Sequence, residues 1–325
     1  MKKYFASALL IGALSVGAIG CSSQSSSSNS NSGNSSSGSE KPRYAMILKT
    51  LSNPFWVSMK DGIEKEAKKL GVEVDIQTAS SESDTQGQLK VFEDLLNKDY
   101  AGIGFAPLSP VNLIPEVVQA NSKGIHTVNV DEQVDMKELK NAGGSVYAFI
   151  TTDNKKVGAK GAQYIVDQLK SGGQVAIIEG VAGNVSGEDR KDGATEVFKS
   201  AKGIKLVASQ PADWDRSKAL DVTANLIQRY PNLKAIYAAN DTMALGAVEA
   251  VKNAGKKIMV VGTDGAPEAL ESIKAGELDA TVAQDSAKIG ATALDKLVEA
   301  VDKKAKISKN TEPEKVAVDS YLVTE

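Results

Sequence analysis

The stretch Tyr44-Ala-Met-Ile-Leu-Lys49, the connector Thr50-Leu-Ser-Asn53, and then Pro54-Phe-Trp-Val-Ser-Met-Lys-Asp-Gly-Ile-Glu-Lys-Glu-Ala-Lys-Lys-Leu70 closed by Gly71 decide the fold class. A short apolar run of β type gives way to a pattern in which Trp56, Met59, Ile63, Ala67 and Leu70 recur at helical spacing. Asn53 suits the N-cap, Pro54 the first helical position, and Gly71 the residue that ends the helix. The same unit repeats down the chain. Strands are expected at Tyr44–Lys49, Val72–Thr78, Gly102–Ala106, Ile125–Val130, Val146–Ile150, Val175–Glu179, Lys205–Ser209, Ala235–Ala239, Ile258–Gly262 and Ala280–Ala283. Several are continuously apolar, as strands buried on both faces are, and their alternation with helices requires parallel sheets with right-handed crossovers. The 283 residues from Arg43 to Glu325 exceed one typical core. The expected fold is therefore α/β, with two Rossmann-like, doubly wound parallel-sheet lobes.

Ahead of this body, Lys2 and Lys3, the apolar run Phe5 to Ile19 and Gly20-Cys21 read as a signal peptide over residues 1–20. The cysteine at the cut resembles a bacterial lipobox, in which the thiol is diacylated, so Cys21 is the expected lipidation site. Ala18 stands where Leu or Val is usual. From Ser22 to Ser39 there are 12 serines in 18 residues, which can bury no apolar area. Residues 21–42 are thus expected to form a lipidated tether with a reach of roughly 25 Å. The expected location is extracytoplasmic, lipid-anchored at the cell membrane.

Composition removes several classes. Among 325 residues, 38 Lys plus Arg oppose 41 Asp plus Glu, a net charge of -3, which lacks the basic field a nucleic-acid binder needs. One cysteine excludes a disulfide framework or a thiolate metal cluster, and one histidine excludes multi-histidine metal sites. No G-x-x-x-x-G-K-[ST] occurs. Gly102-Ile-Gly104 lacks the third glycine of a dinucleotide fingerprint and is read as close helix–strand packing. Gly183-Asn-Val-Ser186-Gly187 is not a nucleophile elbow, and His126, opening an apolar strand, is read as structural.

In open α/β sheets ligands bind beyond the carboxyl ends of the strands. There this sequence collects Lys49 with Asn53, Phe55 and Trp56, then Asn129-Val-Asp131-Glu132, Asn240-Asp241, Asp264, and Gln284-Asp285. Turns and helix caps account for such residues singly, less well for the set. Carboxylates accept bonds from neighbouring hydroxyls, and amides, lysine and arginine donate to hydroxyl and ring oxygens. Aromatic faces cover apolar C–H faces. The inventory suits a sugar, and Lys49 and Arg190 partly balance Asp131, Glu132 and Asp264. Trp56 also lies on the apolar stripe of its helix, where a core role would suffice. Trp214, in the polar loop Ala212-Asp-Trp-Asp-Arg216, is more readily explained by a ligand.

At these residues the sequence resembles the periplasmic sugar-binding family typified by the ribose- and galactose-binding proteins. The likeness rests on Ser52-Asn-Pro-Phe-Trp56, Gly187-Glu-Asp-Arg190 with Gly193, Gln210-Pro-Ala-Asp-Trp-Asp-Arg216, Asn240-Asp-Thr-Met-Ala-Leu-Gly246 and Val261-Gly-Thr-Asp-Gly265, and runs from Arg43 to the C-terminus. It implies two lobes joined by three crossings, near Thr151–Asp153, Gln284 and Glu312. The first lobe would hold residues 43–150 and 285–311, the second 151–284 and 312–325. It implies that Asn53, Asp131, Arg190, Asn240, Asp264 and Gln284 hydrogen-bond the sugar and that Phe55, Trp56 and Trp214 sandwich its ring. Lys49 stands where the ribose-binding pattern has a small hydroxyl residue, and Glu132 where it has arginine. Both belong to the expected sugar site, and with the two tryptophans they favour D-allose over ribose.

A monomer without cofactor or metal is expected, one that delivers sugar to an ABC importer whose permease and ATPase are separate chains. Three alternatives stay open: a glycoside-acting enzyme using Asp131 and Asp264, a sugar-responsive repressor, and a sensor that signals to a receptor. The repressor would need a helix-turn-helix ahead of Tyr44, where the leader and serine tether stand.

Overall fold

A computed structural model describes residues 42–324. In chain order the elements are β1 (Arg43–Leu48), α1 (Pro54–Leu70), β2 (Glu73–Thr78), α2 (Thr85–Leu95), β3 (Gly102–Phe105), α3 (Ile114–Ser122), β4 (His126–Val130), α4 (Met136–Ala142) and β5 (Ala148–Thr152). They continue with α5 (Asn154–Gln168), β6 (Gly173–Glu179), α6 (Val185–Ser200), β7 (Ile204–Pro211), α7 (Arg216–Arg229), β8 (Leu233–Ala238), α8 (Asp241–Asn253), β9 (Met259–Asp264), α9 (Pro267–Lys274), β10 (Ala280–Gln284), α10 (Ser286–Asp302), β11 (Glu314–Val318) and β12 (Ser320–Val323). The turn before α1 and the helix itself behave as their residues dictate. Asn53 Oδ1 accepts from the Phe55 amide at 3.0 Å, and Gly71 ends α1 at φ 67°. Trp56, Met59, Ile63 and Ala67 face inward, while Leu70, expected on the same stripe, is exposed.

Two six-stranded sheets form, in the orders β11-β5-β4-β3-β1-β2 and β12-β10-β9-β8-β6-β7. All pairings are parallel except that of β12 with β10. Each sheet is buried on both faces under helices. In the first lobe, Met46, Leu48, Val128 and Ile150 meet α1 and α10, while Ala45, Ile47, Ile103 and Phe105 meet α2 and α3. In the second, Ile178, Ile236 and Val260 pack on one side and Val175, Ile177 and Tyr237 on the other. Gly102 lets α10 approach the sheet, since a Cβ there would stand 2.8 Å from Leu297 Cδ1. Gly104 instead makes room for Met46 of the neighbouring strand. His126 Nε2 lies 2.9 Å from the Ala305 carbonyl.

The chain passes between the lobes after β5, after β10 and between β11 and β12. The last passage corrects the expectation of a crossing near Glu312. Glu314–Val318 pairs with Ala148–Thr152 in the first sheet, so the first lobe runs to Val318 and the chain crosses at Asp319. Glu-Lys-Val-Ala-Val is an exposed edge strand whose charges mask its strand character. Both lobes share the order 2-1-3-4-5 in their first five strands. Their switch points lie between β1 and β3 and between β6 and β8, which fixes where a ligand crevice belongs.

Candidate functional site

At those carboxyl ends lies a small cavity of about 30 Å³, lined from the first lobe by Lys49, Asn53, Phe55, Trp56, Glu82 and Asp131 and from the second by Ser186, Arg190, Trp214, Asn240 and Asp264.

The caps decide which atoms face a ligand. Asn53 Oδ1 is taken by the Phe55 amide, and Asn240 Oδ1 by the Met243 amide at 2.8 Å. Each asparagine therefore caps its helix and keeps its Nδ2 donors free for other partners. Arg190 is held by Asn154 Oδ1 at 2.8 Å from Nε and by the Ala239 carbonyl at 2.7 Å from Nη1. Nη1 also lies 3.3 Å from Asp264 Oδ1, which accepts from Gln284 Nε2 at 2.7 Å. Asp264 Oδ2 has no protein donor among the described residues. Asp131 is buried and its side chain makes no hydrogen bond there at all, with Oδ1 shut off from solvent.

Burial pushes the Asp131 carboxyl up to about 7, against the pull of Lys49 and Arg190 and with help from Glu132 and Asp264. Burial also raises Asp264, against Arg190 and Gln284. The Lys49 ammonium is opposed by burial, but Glu132, Glu82 and Asp131 outweigh that and raise its pKa.

Backbone strain gathers here. Asp131, Trp214 and Asp264 hold φ of 59°, 63° and 119°. The Asp131 turn is pinned by Thr151 Oγ1, which donates to the Asp131 carbonyl at 2.8 Å. Trp56 and Phe55 meet edge to face at 5.1 Å, the Trp56 indole donates to Glu82 Oε1 at 2.9 Å, and Lys49 Nζ sits 5.7 Å from the Trp56 ring centre. Trp56 thus serves core and cavity together. Across the gap, Trp214 lies against Gly180 with the Arg190 guanidinium 5.8 Å from its ring.

Two expected site residues fall outside this lining. Gln284 stands one bond back, holding Asp264. Glu132 is fully buried with protein donors on both oxygens: Val185 N at 2.6 Å on Oε1, and Ser186 Oγ at 2.9 Å and Lys49 Nζ at 3.3 Å on Oε2. Capping and loop-tying explain two further strand-end residues. Asp285 caps α10, and Asp241 accepts from Thr281 Oγ1 and the Ala266 amide. Glu82 and Ser186 were not anticipated. Glu82 is hidden in the polar turn Ser80–Asp84, where Asp84 caps α2, and Ser186 in the first turn of α6. Cys21 lies outside the described residues. Among them, no helix is long and apolar enough to cross a membrane, and no group of three or more His, Cys, Asp or Glu could hold a metal ion.

Twin doubly wound lobes facing one another across a cleft of donors, carboxylates and aromatic rings are the architecture of a bilobal solute-binding protein. The chain belongs to the periplasmic binding protein family, whose domain matches residues 44–305. It is 62% identical to the D-allose-binding periplasmic protein of Escherichia coli over 87% of this chain and 92% of that one. It is 39% identical to the ribose import binding protein of Bacillus subtilis, over 74% and 75%. The crystal structure of an ABC transporter periplasmic solute binding protein from Actinobacillus succinogenes with bound D-allose superposes with a TM-score of 0.81. It shares 34% identity, with 87% of this chain and 98% of that one covered.

Proposed function

We propose that this chain binds a monosaccharide between its lobes, D-allose first and ribose or another aldose next, and delivers it to the permease of an ABC importer. The observation that carries the reading is Asp131: a buried carboxylate without a protein donor, in a cavity whose other polar groups are mostly donors. A sugar's hydroxyls would supply those donors and use the lone pairs on Asp264, while Asn53, Asn240, Lys49 and Arg190 donate to its oxygens. Phe55 and Trp56 from one lobe and Trp214 from the other would cover its C–H faces. Because the ligand would touch both lobes, the closed arrangement alone gains the full set of contacts. The identity to the D-allose-binding protein supports the choice of aldose. The reading includes a monomer, anchored outside the cytoplasm through Cys21, that performs no chemistry on its ligand.

The test is a thermal melt with D-allose, D-ribose, D-galactose, D-glucose and D-xylose, alongside an assay for hydrolysis of their glycosides. A ligand that binds only the folded state raises the melting temperature with concentration. D-allose is expected to give the largest shift and no glycoside to turn over. No shift with any sugar overturns the reading, and turnover would replace it with a glycosidase acting through Asp131 and Asp264.

A further inference from the structure

Outside the three connecting passages, the hydrogen bonds that join the two lobes among the described residues all end on one side chain. Glu132, at the end of β4, reaches across the cleft to the first turn of α6, where it accepts from the Val185 amide and the Ser186 hydroxyl. The Ser186 proton is shared with Asn184 Oδ1 at 2.8 Å, so the Val185 amide is the firmer partner. From its own lobe, Lys49 supplies the opposite charge. The positive end of α6 and the exclusion of water both strengthen a charge-assisted bond of this kind. The Val185 amide is also one of the groups that a helix leaves unpaired at its start.

We propose that Glu132 is the latch of the closed molecule, a positioning residue that sets how firmly the lobes close and does not touch the ligand. This rests on the sugar-binding reading above and adds its regulation. Both Glu132 oxygens are occupied by protein donors, and the residue is absent from the cavity lining. Its bonds to α6 form only when the lobes meet, so their contribution is the same for every ligand that closes them. Apparent affinity scales with the population of the competent closed state. Loss of the latch should therefore weaken all ligands by one factor and leave their ranking untouched. A residue that bonds a particular hydroxyl would change the ranking.

The experiment compares full-length wild type and Glu132→Gln by calorimetry with D-allose and D-ribose, with dissociation followed by stopped flow. Both Kd values should rise by one common factor, roughly tenfold to a hundredfold, through faster dissociation. A change of less than about twofold, or unequal factors for the two sugars, overturns the proposal. If Glu132→Gln does not fold, Glu132→Asp keeps the charge beside Lys49 while withdrawing the carboxylate from α6, and the same equal rise is expected. If the wild type binds neither sugar, the sugar reading fails by itself. The latch then stands or falls on hydrogen exchange at the Val185 amide, which should quicken at least tenfold in the variant and by remaining unchanged would refute it.

Discussion

Arg190 Nη1 lies 3.3 Å from Asp264 Oδ1, and the backbone that carries Arg190 rests on Gly158 of α5, where an added Cβ would overlap the Arg190 carbonyl. A glycine outside the cavity thus sets how far the guanidinium reaches into it. Gly158→Ala should push α6 outward, at a cost of about 1–3 kcal/mol of stability for overpacking. Sugar affinity should fall as well, because Arg190 is displaced from Asp264. Melting and titration calorimetry on the same variant check both effects. Lowered stability with unaltered affinity would show that the helix contact does not position Arg190.

Trp214 depends on a glycine more directly. Its indole covers Gly180 so closely that a Cβ at that position would overlap the ring. Gly180 follows β6 in the same lobe as Trp214 and is absent from the lining. Gly180→Ala should drive the ring into the cavity or out of the loop and lower affinity by about tenfold or more, given what an aromatic face contributes. Trp56 also fluoresces, so the emission change on adding sugar is best read in a Trp56→Phe background. Unchanged affinity would remove Trp214 from the site.

How much of this was legible in the sequence follows from where each side chain's partners lie. Asn53 is legible twice, as a cap by its neighbours and as a site residue by its place after a strand. Asp131 and Glu132 are adjacent and of one chemistry, so the sequence assigns both to the ligand. The φ of 59° at Asp131 turns the chain, and one carboxylate enters the cavity while the next crosses to α6. Nothing local distinguishes them, because the deciding partner is 53 residues away. Arg190 sits among polar helix residues, and the groups that enclose it, Asn154, Ala239, Asp264 and Trp214, are all distant in sequence, so its place among the sugar-bonding residues rests on the family resemblance. β11 escaped because its register is set by β5, far away in sequence.

Glu82 holds the Trp56 indole at 2.9 Å from a half-buried turn. Glu82→Ala should leave that N–H without its acceptor and let the ring rotate. The expected cost is a severalfold loss of affinity and a shift in tryptophan emission, as for a hydrogen bond to a charged group. Glu82→Gln keeps an acceptor for the indole and should recover most of the loss. Equal losses in the two variants would mean that the charge of Glu82, rather than its grip on Trp56, is what the site uses.

Cys21 is the sole thiol of the chain. If it carries the lipid, Cys21→Ala should move the protein from the membrane fraction to the soluble extracytoplasmic fraction without altering sugar affinity. Fractionation and immunoblotting of cells check this, and continued membrane retention of the variant would refute the anchor.

The buried carboxyls predict opposite pH dependences for stability and for binding. Asp131 titrates near 3.8 when unperturbed and near 7 in the fold, where burial and the charges of Glu132 and Asp264 outweigh Lys49 and Arg190. Between those values the folded chain keeps a proton that the unfolded chain has released. This group's contribution to stability is therefore fully present below about pH 4 and is lost as pH rises through about 7. Asp264 and Asp241, both raised by burial, act in the same direction. Sugar hydroxyls, by contrast, donate best to ionised carboxylate, so affinity should rise over that interval, by up to about tenfold per pH unit for one coupled proton. Binding near pH 6 should then release protons. Titration calorimetry in two buffers of different ionisation enthalpy measures that release directly, and Asp131→Asn should abolish most of it. Affinity that stays flat from pH 5 to 8, with no proton released, would mean that Asp131 does not bond the ligand in its ionised form.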